Sequence, residues 1–174
     1  APVMSDGSIQ GSLGSNVAAG AAGTIHITDN LVNLTGSPIT ATYTITPTSG
    51  SGCVGVARTV VVTVNPAPIV ANGLDRTVCS DTGIGLTLSV AAGSAAAATY
   101  NIVSKSVPGG LTASGSNAAV PATGVASNYL ASDSYTNVTA AALIVSYTVA
   151  PVSASGCVGA NKIISITINP EPSL

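Results

Sequence analysis

Residues 39–68 read ITATYTITPTSGSGCVGVARTVVVTVNPAP, and residues 143–172 read LIVSYTVAPVSASGCVGANKIISITINPEP. The two stretches align without a gap. Cys53 and Cys157 are 104 residues apart, and so are Tyr43 and Tyr147, Pro47 and Pro151, Asn65 and Asn169, and Pro68 and Pro172. Asn33 and Thr35 return as Asn137 and Thr139 at the same offset. A repeat this long, held across a turn, is the mark of tandem modules. Within the first copy, Ile39, Ala41, Tyr43 and Ile45 alternate with threonines, which is the pattern of a half-buried antiparallel strand. Pro47 ends it, a Gly/Ser-rich turn carries Cys53, and the β-branched run Thr59 to Val64 predicts the partner strand. Asn65-Pro66-Ala67-Pro68 then closes the module. Proline lacks an N–H and fixes φ, so Asn65, Pro66 and Pro68 read as a stiff, extended hinge between modules.

Outward from this pair the second module continues the same grammar. Thr77 to Ser80 predicts a short strand. Ile84, Leu86, Leu88 and Val90 alternate with small or polar residues and predict another. Ala91 to Ala98 reads as a loop, Thr99 to Ser104 as a strand with Tyr100 and Ile102, and Val107 to Gly110 as a turn. Asn128 to Ala131 predicts a short strand matching one at Thr24 to Thr28. No segment carries apolar residues at helical spacing over three turns. Short strands with frequent turn signals point to an all-β protein built of tandem immunoglobulin-like β-sandwiches. The boundaries predicted are 1–68 for a first module and 69–174 for a complete second one. The first is incomplete: Ala1 aligns with Lys105, so two or three early strands are expected from elsewhere.

Composition narrows the class. Charged residues are 6% of the chain, hydrophobic residues 46%, and there is no Phe or Trp. Soluble domains usually carry about 25% charged residues, so the surface is left to Ser, Thr, Asn, Gly and Ala. Such a surface resists association with its own copies weakly. Four Lys and Arg residues make no basic patch, which excludes nucleic-acid binding. No run of 18 apolar residues occurs, so no helical membrane span is expected. No signal peptide is visible; either one was removed or these residues are internal to a longer chain.

The motifs resemble the PKD-like repeat family, immunoglobulin-like modules of very long bacterial surface proteins that include gliding-motility and surface adhesins. The likeness is carried by Thr77-Val78-Cys79-Ser80-Asp81-Thr82-Gly83, by Val145 to Pro151, by Ser155-Gly156-Cys157-Val158-Gly159, and by Ile166 to Pro172. The first copy holds only the later motifs, at Thr42 to Pro47, Ser51 to Gly55 and Val62 to Pro68. Family members usually carry a Trp near the position of Tyr100, which implies a smaller core here. The resemblance implies a disulfide between Cys79 and Cys157 within the second module. It also implies a secreted, cell-surface location and a structural, adhesive role.

The remaining candidates are weighed on their own residues. Cys53 matches Cys157, but its partner would fall in the missing part. It is a free buried thiol, or bonds a cysteine of another chain or of an upstream segment, or pairs with Cys79. Asn33-Leu34-Thr35 and Asn137-Val138-Thr139 fit both an N-glycosylation acceptor and a repeated turn. His26, the single histidine, has no catalytic partner set. Asp75 with Asp81 is the nearest approach to a calcium pair. No nucleophile elbow, phosphate loop or zinc spacing is present, so no enzyme, no cofactor and no metal is expected. The expected function is a structural subunit or repeat segment of an extracellular filament or surface adhesin, joined by β-strand complementation. The expected partners are copies of the chain or neighbouring repeats, with glycans as a further candidate. The alternative is a monomeric adhesin stalk or a non-catalytic module of a secreted enzyme.

Overall fold

The structure, a computed structural model, describes residues 3–4, 9–12, 27, 29–33 and 35–171. His26, Asp6, Pro172 and most of the strand expected at 24–28 lie outside them. The chain divides into two units, 1–66 and 67–174. Among the described residues there is no helix, and the fold is all-β with several sheets.

The first unit holds β1 (Val3–Met4), β2 (Ile9–Ser12), β3 (Asn30–Asn33), β4 (Ile39–Ile45) and β5 (Arg58–Val64). Strands β4 and β5 form the hairpin that the alternation predicts, with Tyr43 opposite Val60 and Ile39 opposite Val64. β1 pairs antiparallel with β4, and β2 pairs with β3, giving a three-stranded sheet ordered β1-β4-β5 and a two-stranded one. Ile39, Ala41 and Tyr43 are buried.

The second unit holds seven strands: β6 (Arg76–Cys79), β7 (Thr99–Ser106), β8 (Leu111–Ala113), β9 (Ala122–Val125), β10 (Tyr135–Asn137), β11 (Leu143–Val152) and β12 (Lys162–Asn169). Five make one sheet, ordered β6-β12-β11-β7-β9. All neighbours in it are antiparallel except β6, which lies parallel to β12 with Arg76 beside Ile166 and Cys79 beside Asn169. β8 and β10 form the opposite layer. Between the layers, Ile102, Val145, Tyr147, Val149, Ile164, Ile166 and Ile168 meet Ile84, Leu86, Leu88, Leu130 and Tyr135 in one core. This is the immunoglobulin-like sandwich, two sheets packed through their inward faces.

Two expectations are corrected. Residues 84–90 do alternate, with Ile84, Leu86 and Leu88 buried, but they are not a regular strand. Gly85 sits at φ 58, a left-handed conformation that breaks the ladder. The segment is held by single bonds from Ile84 N to Asp133 O, Gly85 N to Ala131 O and Leu88 N to Ser127 O. Residues 128–131 are not a strand at all. Bonds from Ala131 N to Asn128 O and Asp133 N to Leu130 O close turns there, and the turns bring Asp133 into the core.

Candidate assembly surface

The two units differ most at their last strand. In the second unit the inward residues Ile164, Ile166 and Ile168 of β12 are fully buried, and β6 covers its outer edge. The equivalents in the first unit are Val60, Val62 and Val64 of β5. Val60 is 40% exposed, the other two are half-buried, and among the described residues no strand pairs with the outer edge of β5. β6, which covers the edge of β12, and the core residues Ile84, Leu86 and Leu88 come from residues 67–104. Among the described residues, β5 thus has an open outer edge and a partly exposed valine face, the condition under which a sheet edge accepts another strand.

Each unit is pinned from within by the same polar devices. Asn137 is buried, and its side-chain nitrogen donates to Ala141 O and to Ile168 O, both at 2.9 Å. Its oxygen accepts from Thr139 N at 3.0 Å. Asn33 repeats this with Ser37 O and Val64 O at 2.8 Å and Thr35 N at 2.9 Å. The Asn-x-Thr pattern is thus a clamp from a turn to the last strand. Both amide hydrogens are spent, so an N-linked glycan at either residue would have to break the clamp. Replacing Asn137 with alanine should destabilise the second unit by about 2 kcal/mol, since the buried Ile168 carbonyl loses its donor and the turn loses its tie. Urea denaturation followed by circular dichroism would show it.

A second device is a carboxylate beneath a tyrosine. Tyr147 OH donates to Asp133 Oδ2 at 2.6 Å, which leaves Tyr135 OH to donate to Tyr147 at 2.7 Å. Asp133 Oδ1 accepts from Ala118 N at 2.7 Å. The first unit repeats the pair, with Tyr43 OH donating to Asp29 Oδ2 at 2.9 Å. Burial first, and then the bond to Asp133, push the Tyr147 phenol far above its ordinary range. Burial also raises Tyr135 and Tyr100. A phenol kept neutral in the folded state contributes its full stability below pH ~10, and that contribution falls as pH rises further because the unfolded chain ionises. Stability should therefore decline above pH ~10 by about 1.4 kcal/mol per pH unit for each such tyrosine. Urea midpoints measured from pH 8 to 12 should fall less steeply in Tyr147→Phe.

The cysteines are placed otherwise than the sequence implied. All three are free thiols, Cys53 and Cys79 exposed and Cys157 half-buried. The expected Cys79–Cys157 disulfide does not form. Cys79 lies beside Asn169, the last residue of β12, whereas Cys157 precedes Lys162, the first. Eight residues of strand separate the two ends by about 23 Å, far beyond the reach of a disulfide, which needs Cα atoms within about 7 Å. Cys53 is exposed and so is not the buried thiol considered above. Of the hinge residues, Asn65 is exposed while Pro66 and Pro68 are buried, and Pro68 belongs to the second unit. Asp75 and Asp81 are not brought together as a calcium pair. Asp75 accepts from Ser165 N on β12, and Asp81 from Thr136 Oγ1 on β10 in the opposite layer.

A family profile described as the PKD-like domain matches residues 8–68 and 76–172. The chain belongs to the PKD-like domain family. The two matched stretches fall one in each unit of this PKD-like chain. PKD-like domains are adhesion-type modules, typically extracellular, and immunoglobulin-type domains of this kind are generally non-catalytic. No curated protein matches the chain. No helix among the described residues is long and apolar enough to cross a membrane.

Proposed function

We propose that the chain is a structural part of an extracellular bacterial filament or surface adhesin. In this reading the first unit is completed by strands added along β5, and the Asn-Pro-x-Pro segments act as stiff spacers. The observation that carries it is the contrast between β5 and β12. The same strand, at the same place in the repeat, is covered and paired in one unit and uncovered in the other. In this reading a segment equivalent to residues 67–104, supplied by a neighbouring copy or by another repeat of the chain, covers β5 as residues 76–79 cover β12. The low charge of the surface favours such association, because little like-charge repulsion opposes it.

Electron microscopy of the native material tests the proposal. Continuous fibres of regular diameter are expected, and Val62→Lys should abolish them by placing a charge on the face that must be covered. Isolated flexible rods, unchanged by Val62→Lys, would instead support the monomeric stalk.

A further inference from the structure

We infer that Asn72 is a self-modifying site: its side chain is converted to aspartate through a ring closed by the Gly73 amide, and Lys162 directs the reaction to aspartate rather than isoaspartate. The chemistry lies wholly within the second unit and needs no other copy of the chain. Asn72 is the one asparagine of the chain followed by glycine. Closing a succinimide ring puts the backbone nitrogen of the following residue against the asparagine Cγ, an approach that a side chain hinders and glycine leaves open. Gly73 lies at φ 72, a left-handed conformation, and a Cβ placed on it would meet nothing within 4 Å. Both residues are exposed. Among the described residues no acceptor holds the Gly73 N–H.

The electrophile is held from the other side. Lys162 Nζ donates to Asn72 Oδ1. The contact prolongs the parallel register of β6 on β12. Asn72 and Lys162 are 90 residues apart, and so are Asp75 and Ser165, joined by the bond from Ser165 N to Asp75 Oδ1 at 2.8 Å. Lys162 is half-buried and is the first residue of β12, so the strand delivers its ammonium to the carboxamide. On the other flank Ala71 N donates to Ser89 O at 2.9 Å. The Asn-Gly turn is thus strung between two fixed points, with a cation on its side-chain oxygen.

That placement bears on two successive steps. In the first, water or hydroxide takes the Gly73 amide proton and the nitrogen attacks Asn72 Cγ. The charge that develops on Oδ1 meets the Lys162 ammonium, a charge-assisted donor already in place. The Cγ–Nδ2 bond then breaks, and ammonia leaves with the proton it needs. In the second step water opens the ring at one of its two carbonyls. Attack at the main-chain carbonyl breaks the backbone and gives isoaspartate, the main product of Asn-Gly in an unstructured peptide. Attack at Cγ breaks the new Cγ–N bond, returns the proton to the Gly73 nitrogen and leaves an ordinary aspartate. Lys162 stabilises the oxyanion at Cγ alone, so it favours the second course. The product carboxylate faces the same ammonium and adds one negative charge to a chain whose formal net charge is −2.

The test incubates the full chain in neutral buffer, folded and in concentrated urea, and maps its peptides against synthetic aspartate and isoaspartate standards. The folded chain should gain mainly aspartate at residue 72, and the chain in urea mainly isoaspartate. Lys162→Met should slow the conversion about tenfold, less than the loss of a donor costs in a water-excluded site. It should also shift the product to isoaspartate, while Lys162→Arg, which keeps a donor, should still yield aspartate. Should Lys162→Met fail to fold, the comparison of folded chain with urea and the Lys162→Arg product still decide. An Asn72 that stays intact in the folded chain while it converts in urea overturns the inference. So does isoaspartate as the main folded product, or a Lys162→Met chain that folds and matches the original in rate and product. Loss of ammonia with peptides 72 and 162 covalently joined would show Lys162 to be the nucleophile, and would overturn it too.

Discussion

Asp133→Ala should lower the melting temperature of the second unit by roughly 20 °C. The carboxyl group is fully buried, accepts two hydrogen bonds from the fold and orders a third through one of them. It takes the Tyr147 hydroxyl, anchors through it the Tyr135 hydroxyl, and takes the Ala118 amide. Removing it strands a buried phenol and a backbone N–H without an acceptor, each at a cost of about 1–3 kcal/mol, and opens a small void. The sum is about 4 kcal/mol, a large part of the 5–15 kcal/mol by which domains are stable. Asp133→Asn should lose less, because its amide oxygen still serves Ala118 while its nitrogen can donate to Tyr147. Thermal denaturation by circular dichroism distinguishes the three proteins. A loss below about 1 kcal/mol in Asp133→Ala would mean that the triad contributes little.

Gly159→Ala is the second large effect. The added Cβ would overlap Pro68 O and stand 2.8 Å from Pro151 Cγ, and the nearer of these is backbone. A flexible side chain can move aside; the carbonyl of Pro68, in the Pro66-Ala67-Pro68 segment, moves only with its backbone. A cost of about 3 kcal/mol is expected, the upper part of the overpacking range. The equivalent substitution Gly55→Ala meets only Pro47, with Cγ at 2.9 Å and O at 3.4 Å. Its cost should be about 1 kcal/mol. Urea titrations of the two variants give the comparison. Equal losses would show that the Pro68 contact is not what makes Gly159 indispensable.

The hairpins β4–β5 and β11–β12 were legible in the sequence because both faces of each strand are written in it, Tyr43 and Tyr147 inward and threonines outward. The Asp-to-Tyr device was present in the letters, as Asp29 with Tyr43 and Asp133 with Tyr147 at one spacing. It escaped notice because an aspartate in a loop-like stretch reads as solvated. Only the turns over residues 128–133 reveal that it faces the core. The segment 84–90 kept its alternation but lost its ladder to the backbone of Gly85. The cysteines misled for a different reason. Linear spacing does not say at which pole of a sandwich a residue emerges, and the parallel register of β6 on β12 decides that.

That parallel register bears on how the second unit takes load. β6 lies early in the unit and β12 late, and they run the same way, so a pull on the two ends of the unit drags them along their length in opposite senses. The hydrogen bonds between them lie across the pull and share it together, instead of opening one after another as in a peeled hairpin. Rupture then requires the whole ladder to fail at once.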